Sequence, residues 1–520
     1  MPGPGRADPC GGARVATARW SAEPGGPTVT YGRGMAESEL HWMTASELAT
    51  AIGRREVSSS EVLEHLVDRI ETLDEPVNSV VQWDLERARR AASEADDAVV
   101  RGDEVGPLHG VPMTIKDSFQ TEGCITTSGA PELATFAPSE DAWPVARLRE
   151  AGAIPFAKTN LPLYAGDIQT FNEVYGTTNN PFDLGRTPGG SSGGAAAALA
   201  MGFTPIELGS DIGGSIRVPA HYCGVAGHKS TFALVPGHGH IPGPPGTFTS
   251  ADIGVFGPMA RSVNDLELEL GVLAGPDRWD AAAWRLDLPP SRAKGLADFR
   301  IAAWLDDPWC AVDADTTRVL GSLVDTIESA GGRVDVDARP SFSLEQVSDI
   351  YLPLLFAALA NGFPAEALDH MAASTDDTTL GMVMRGTAMR HQDWLGYNER
   401  RLQMREKAAR FFDGFDAILM PVHPRAAIPH DHPGTPATRS VAIDGVDRSY
   451  MELFRWIALA GVAYLPSTVV PVGTSSDGLP IGVQIVGPYL HDRTTLGLAG
   501  HIEALVLDRD GGPLRPALAL

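Results

Sequence analysis

The sequence predicts an α/β fold, a β-sheet covered by helices on both faces. Short apolar segments of strand length alternate with segments of helical period, the pattern that such a layered sheet leaves in a chain. The chain has 520 residues with 43% hydrophobic side chains, and no internal linker interrupts it. One large domain with an ample core is therefore expected.

The elements follow in order. Residues 1–34 hold eight glycines and five prolines, lack an apolar run and end just before Met35. They read as a disordered leader, with Met35 as a candidate natural start. Residues 44–73 carry the period of two amphipathic helices, with a capping region at Ser58-Ser59-Ser60-Glu61 between them. Helical period continues over 85–100, so 35–105 is expected to be a helical segment packing on the core. Strands are predicted at 110–115, 153–157, 204–208 and 299–305, and helices at 145–151 and 315–330. Residues 340–415 read as mostly helical.

Composition excludes several classes of function. A net charge of −25 disfavours direct contact with nucleic acid or an anionic membrane. Cys10, Cys124, Cys223 and Cys310 are widely spaced, which suggests neither a disulfide framework nor a zinc site; Cys223 reads as a small core residue. No histidines have metal-ligand spacing, and His430-Asp431-His432 between prolines reads as a polar loop. No metal and no cofactor are expected. The most apolar later stretch, 456–472, is broken by Pro466 and Pro471, so no membrane span is expected and a cytoplasmic enzyme is the default.

Three pieces of sequence carry chemistry. Residues 187–220, TPGGSSGGAAAALAMGFTPIELGSDIGGSIRVPA, hold two glycine-serine nests around a small-residue run, and Lys116 lies upstream in VPMTIKD. A serine hydroxyl is a weak nucleophile until a base removes its proton. Lysine serves as that base only if burial brings its pKa well down from about 10.4. The apolar residues 110–115 before Lys116 make such burial plausible. Gly213 and Gly214, just ahead of Ser215, let backbone N–H groups turn toward one point, as an oxyanion hole requires.

Gly189-Gly190-Ser191-Ser192-Gly193-Gly194, Asp211-Ile212-Gly213-Gly214-Ser215-Ile216-Arg217 and Lys116-Asp117 together resemble the amidase signature family of serine hydrolases. Lys158-Thr159-Asn160, Gly176-Thr177-Thr178-Asn179-Asn180-Pro181, Gly257-Pro258-Met259-Ala260-Arg261, Met420-Pro421 and the stretch from Gly478 to Gln484 extend the likeness. It runs from about residue 40 to the C-terminus and is weakest over roughly 270–415. The resemblance implies an amidase domain over 106–520 with a mixed sheet and a variable helical region near 270–415, where the substrate entrance is often shaped. It implies Ser215 as nucleophile, Lys116 as base and Ser191 as the bridging serine, preceded by a cis peptide at Gly190–Ser191. The backbone N–H groups of Ile212, Gly213, Gly214 and Ser215 would form the oxyanion hole, and Gly190, Ser192, Asp211 and Arg217 would support the site. Two positions depart from the family: Leu163 stands where an acidic residue is common, and Ser230 where proline often follows the lysine.

Other readings compete for the same residues. A run such as GGSSGG taken alone is a common flexible linker, but an alanine-rich helical stretch and the apolar segment 203–208 follow it directly. Gly190-Ser191-Ser192-Gly193-Gly194 also satisfies the nucleophile-elbow pattern with Ser192 as nucleophile, and His109-Gly110 mimics an oxyanion motif. His423, His430, His432, His491 and His501 are available as partners. That elbow needs a strand immediately before it, and 180–188 reads as loop.

The expected reaction is hydrolysis of a carbonyl–nitrogen bond in an amide, aryl amide or carbamate, with esters and urethanes within reach of the same acyl-enzyme. The alternatives are a glutaminase-type subunit of a tRNA-dependent amidotransferase and a non-catalytic scaffold of the same fold. Leu163, Tyr164, Ile168 and Phe171 are expected to line an apolar acyl pocket. The partner is a small-molecule amide or carbamate rather than nucleic acid or membrane, and the chain acts as a monomer or homodimer.

Overall fold

The computed structural model describes residues 37–241 and 246–519, so the leader expected at 1–34 lies outside the described residues. Eleven strands form one sheet: Val80–Trp83 (β1), Pro112–Lys116 (β2), Ile154–Thr159 (β3), Ile206–Asp211 (β4), Ala226–Lys229 (β5), Val255–Ala260 (β6), Ile301–Ala303 (β7), Val334–Asp335 (β8), Ala417–Pro421 (β9), Ser467–Thr474 (β10) and Pro480–Val486 (β11). Their order across the sheet is β1-β3-β2-β4-β6-β5-β10-β11-β9-β7-β8. β2 lies parallel to both β3 and β4, and β7 parallel to β8 and β9, whereas the centre from β4 to β9 is antiparallel. The sheet is mixed, as expected.

The predicted helices form for the predicted reasons. Ala45–Gly53 and Ser59–Leu73 each begin with a capping box, Thr44 with Glu47 and Ser58 with Glu61, so their first N–H groups are satisfied and their register is fixed. Val62, Leu63, Leu66, Val67 and Ile70 place the second helix's apolar face in the core. The segment 35–105 does more than cover the sheet, because β1 within it pairs antiparallel with β3 and supplies an edge strand. Four helices, Leu344–Ala358, Ala365–Ala372, Thr379–Thr387 and His391–Phe411, occupy 340–415.

Two features of this frame set the position of the site. β2 and β4 are parallel with Thr114 opposite Glu207 and Ile115 opposite Leu208, so Lys116 and Asp211 end their strands on the same edge of the sheet. Carboxyl ends of parallel strands are where α/β folds place their ligand sites. The second feature is the helix Gly193–Ala200, all of whose residues are buried. A Cβ on Gly194 would sit 2.4 Å from the Asn160 nitrogen and 2.5 Å from its carbonyl oxygen, so only glycine lets this helix approach the end of β3 so closely. The glycine-serine nest is thus part of the packed core. Of the two family departures, Ser230 is buried and donates its hydroxyl to the Phe256 carbonyl at 2.7 Å.

Candidate active site

Lys116 is completely buried, and its Nζ lies 2.7 Å from Ser191 Oγ, 2.9 Å from Ser192 Oγ and 2.9 Å from Ser210 Oγ. Burial lowers its pKa to about 7, against the opposing pull of Glu207 and Asp211. Nζ donates to all three hydroxyls in this geometry; as a neutral amine it would keep two of these bonds and accept the third hydroxyl's proton with its lone pair. Ser192 contacts Lys116 directly, and its own N–H donates to the Ser215 carbonyl at 3.1 Å, tying the loop that carries Ser215 to Lys116. Ser210 is a partner the sequence motifs do not point to. It lies two residues beyond Leu208, which pairs with Ile115, so the packing of β2 on β4 brings it near Lys116, a relation that its position in sequence does not reveal. Glu207, also wholly buried, accepts from Thr159 Oγ1 at 2.6 Å, Thr114 Oγ1 at 3.0 Å and the Lys116 backbone N–H at 3.2 Å; burial pushes its carboxyl up to about 7.

The peptide before Ser191 is cis, and Gly190 lies against the backbone of 167–169, where a Cβ would stand 2.7 Å from the Asp167 oxygen. Among the described residues no hydrogen bond joins the Ser215 hydroxyl to Ser191. Ser215 is buried but engaged only through its backbone among those residues, so its Oγ is free to meet a carbonyl.

Asp211 organises the loop that presents Ser215. Its carboxylate accepts the N–H groups of Gly214 at 3.0 Å, Ile216 at 3.1 Å and Arg217 at 3.3 Å, and takes the Arg217 guanidinium in a bidentate pair at 3.0 and 3.1 Å. Burial acts to raise its pKa, and Arg217 with those donors outweighs it, holding the carboxyl at about 2. Arg217 in turn donates to the Ile457 carbonyl at 2.8 Å and to Gln484 Oε1 at 3.2 Å. Gln484 donates to the carbonyls of Pro421 and Trp456, which joins the two C-terminal motifs to the catalytic loop. Asp211 and Arg217 are therefore structural supports of the site. One expectation needs correction: the Gly214 N–H is already given to Asp211, leaving Ile212, Gly213 and Ser215 as the N–H groups without a partner among the described residues.

The four residues expected to line an acyl pocket each have their own surroundings. Leu163 is 49% exposed, Ile168 is buried in the core, Tyr164 donates its hydroxyl to Glu132 at 2.6 Å, and Phe171 stacks on His432 with ring centres 4.0 Å apart. Tyr164 and Ala165 take left-handed backbone angles, which turns the chain within this segment. The side chains that do approach the catalytic loop come from far along the chain. A methyl built on Gly213 would stand 3.1 Å from Phe454 Cε1 and 3.9 Å from the Tyr351 hydroxyl, and one on Gly214 would stand 3.4 Å from Ile457 Cγ1.

The elbow reading gains no support from this geometry. The Ser192 hydroxyl bonds Lys116 and the Ser210 carbonyl, and no strand precedes it. His423 is paired with the Tyr222 hydroxyl at 2.7 Å.

With the site in place, comparison with known proteins decides the family. The family model described as Amidase matches residues 61–496. The chain belongs to the amidase signature family. It is 32% identical over 488 residues to a subunit of the glutamyl-tRNA(Gln) amidotransferase of Moorella thermoacetica, covering 89% of this chain and 96% of that protein. It is 30% identical over 491 residues to an acylamidase of Rhodococcus erythropolis, covering 91% and 97%. The crystal structure of a bacterial aryl acylamidase superposes with a TM-score of 0.75 at 26% identity, over 90% of this chain and 96% of that one. The amidase signature chain is thus an amide-hydrolysing enzyme with the family's α/β fold. Among its described residues no helix is long and apolar enough to cross a membrane.

Proposed function

We propose that this amidase signature enzyme hydrolyses the carbonyl–nitrogen bond of uncharged amides or carbamates carrying an aryl or alkyl group, through a Ser215 acyl-enzyme. The observation that carries this reading is the wholly buried Lys116 amine within 2.7–2.9 Å of three serine hydroxyls, with its pKa lowered to about 7. Ser191 gives its proton to Lys116 Nζ and takes one from Ser215, whose Oγ attacks the carbonyl carbon. The N–H groups of Ile212, Gly213 and Ser215 receive the oxyanion. Collapse breaks the carbon–nitrogen bond while the proton returns from Lys116 through Ser191 to the leaving nitrogen. Water then repeats the sequence on the acyl-enzyme, releasing the acid and restoring Ser215.

The substrate class follows from what meets the loop. Phe454, only partly buried, stands against Gly213, backed by the wholly buried Ile457 and Val218 at Gly214, and none of them is charged. Apolar walls favour burial of an aryl or alkyl group at about 25 cal/mol per Å², whereas the charged ends of free glutamine would lose water without gaining partners, at a cost of several kcal/mol. The same reading has the chain working without a cofactor, as a cytoplasmic monomer or homodimer.

A hydrolysis panel tests it. Aryl amides and aryl carbamates, urethanes among them, should be turned over with kcat/KM far above that for glutamine, roughly a hundredfold or more if about 3 kcal/mol separates them. The likeness to the glutamyl-tRNA(Gln) amidotransferase chain supports the rival reading. Comparable kcat/KM for glutamine, or activity arising only once partner chains are added, would put that reading first.

A further inference from the structure

The peptide units after Asp211 are held one by one from outside the loop. In a trans peptide the carbonyl of one residue and the N–H of the next point in opposite directions, so fixing one aims the other. The Val218 N–H donates to the Gly214 carbonyl at 2.7 Å, which turns the Ser215 N–H the opposite way. The Gly214 N–H is fixed by Asp211 at 3.0 Å, and the Ser215 carbonyl by the Ser192 N–H at 3.1 Å. Of the units from the Gly213 N–H to the Ser215 carbonyl, one remains, Ile212–Gly213. Its carbonyl accepts the Tyr351 hydroxyl at 2.7 Å, the contact that reaches it from another part of the chain.

We propose that Tyr351 is a positioning residue of the oxyanion hole, its hydroxyl fixing the Ile212–Gly213 peptide plane so that the Gly213 N–H meets the developing oxyanion beside Ser215. Tyr351 is suited to this task. It lies in the helix Leu344–Ala358, is completely buried, and packs its ring against Gly461, where a Cβ would come within 2.9 Å of its Cε2. Burial raises the phenol's pKa, so the group remains a donor throughout the working range. Donation into the Ile212 carbonyl also polarises the peptide and makes the Gly213 N–H a better donor. The role lies between binding and chemistry: Tyr351 touches neither base nor nucleophile, and acts through a backbone amide.

This inference rests on the Ser215 reading, and the experiment separates the two. Tyr351→Phe removes one oxygen and leaves the ring in place. In the purified full chain, kcat on the best aryl substrate should fall roughly 10- to 100-fold, less than for outright removal of an oxyanion donor, with KM within about twofold. Affinity for a trifluoromethyl ketone analogue of that substrate, which forms a tetrahedral oxyanion on the nucleophile, should fall by the same factor. Affinity for the matching unreactive amide should not change. Gly461→Ala pushes on the same ring and should give a smaller loss of the same kind, so a Tyr351→Phe chain that failed to fold would still leave a readout. An unchanged kcat, or equal weakening of both inhibitors, would overturn the proposal, as would a Gly461→Ala loss confined to KM. If Ser215→Ala retained turnover, it would be the Ser215 reading that failed.

Discussion

Replacing Ser215 by alanine is expected to reduce turnover by about a millionfold, the scale seen when the nucleophile of a cooperating serine-hydrolase site is removed. In the proposed mechanism this hydroxyl forms the acyl-enzyme, and the neighbouring serines are engaged with Lys116. Ser191 and Ser192 hold Lys116, and Ser210 is its third partner. Thermal stability should barely move, because the bond from Ser192 reaches the Ser215 carbonyl, which the substitution keeps. Steady-state rates on an aryl amide, with a melting curve of the same preparation, check both halves. Retained turnover in a folded Ser215→Ala protein would sink the assignment.

Lys116→Ala is also expected to be severe, a loss of roughly a thousandfold or more, because in the proposed mechanism base and nucleophile act as a unit. The pH profile gives this prediction a second readout. Burial disfavours the ammonium and lowers the pKa to about 7, so the amine is protonated and inactive below that value and free to accept a proton above it. The wild-type kcat/KM should therefore rise with pH through about 7. In Lys116→Ala that limb should vanish, leaving a low rate that does not follow the same titration. A limb that survives the substitution would belong to some other group and would rule Lys116 out as the base.

How much of this is legible in the sequence depends on whether a residue acts through its neighbours in the chain or across the fold. Ser191, Ser215, Lys116 and the Asp211–Arg217 pair sit in motifs whose local backbone does the positioning, and the structure brings Lys116 and Ser191 into contact and clasps Asp211 with Arg217. The capped helices near the N-terminus are legible for the same reason. β6 is not, since its Gly257 and Pro258 read as punctuation although they lie inside a fully paired interior strand. β10 is obscured likewise by Pro471, beside a bulge after which its pairing resumes at Gly473. Tyr351 lies 139 residues from the carbonyl it holds, and Phe454 reaches Gly213 from further still. No local period could announce either contact. The pocket expected at 163–171 rests on residue type alone, whereas the left-handed turn at Tyr164 and Ala165 and the burial of Ile168 in the core are set by the fold.

The most direct test of the central claim is to trap the covalent intermediate. The wild-type protein, quenched during turnover of a slow aryl carbamate or after reaction with a fluorophosphonate, should carry a single adduct, and peptide mapping by mass spectrometry should place it on Ser215. An adduct on Ser192 or on any other residue, or turnover with no adduct at all, would contradict the mechanism.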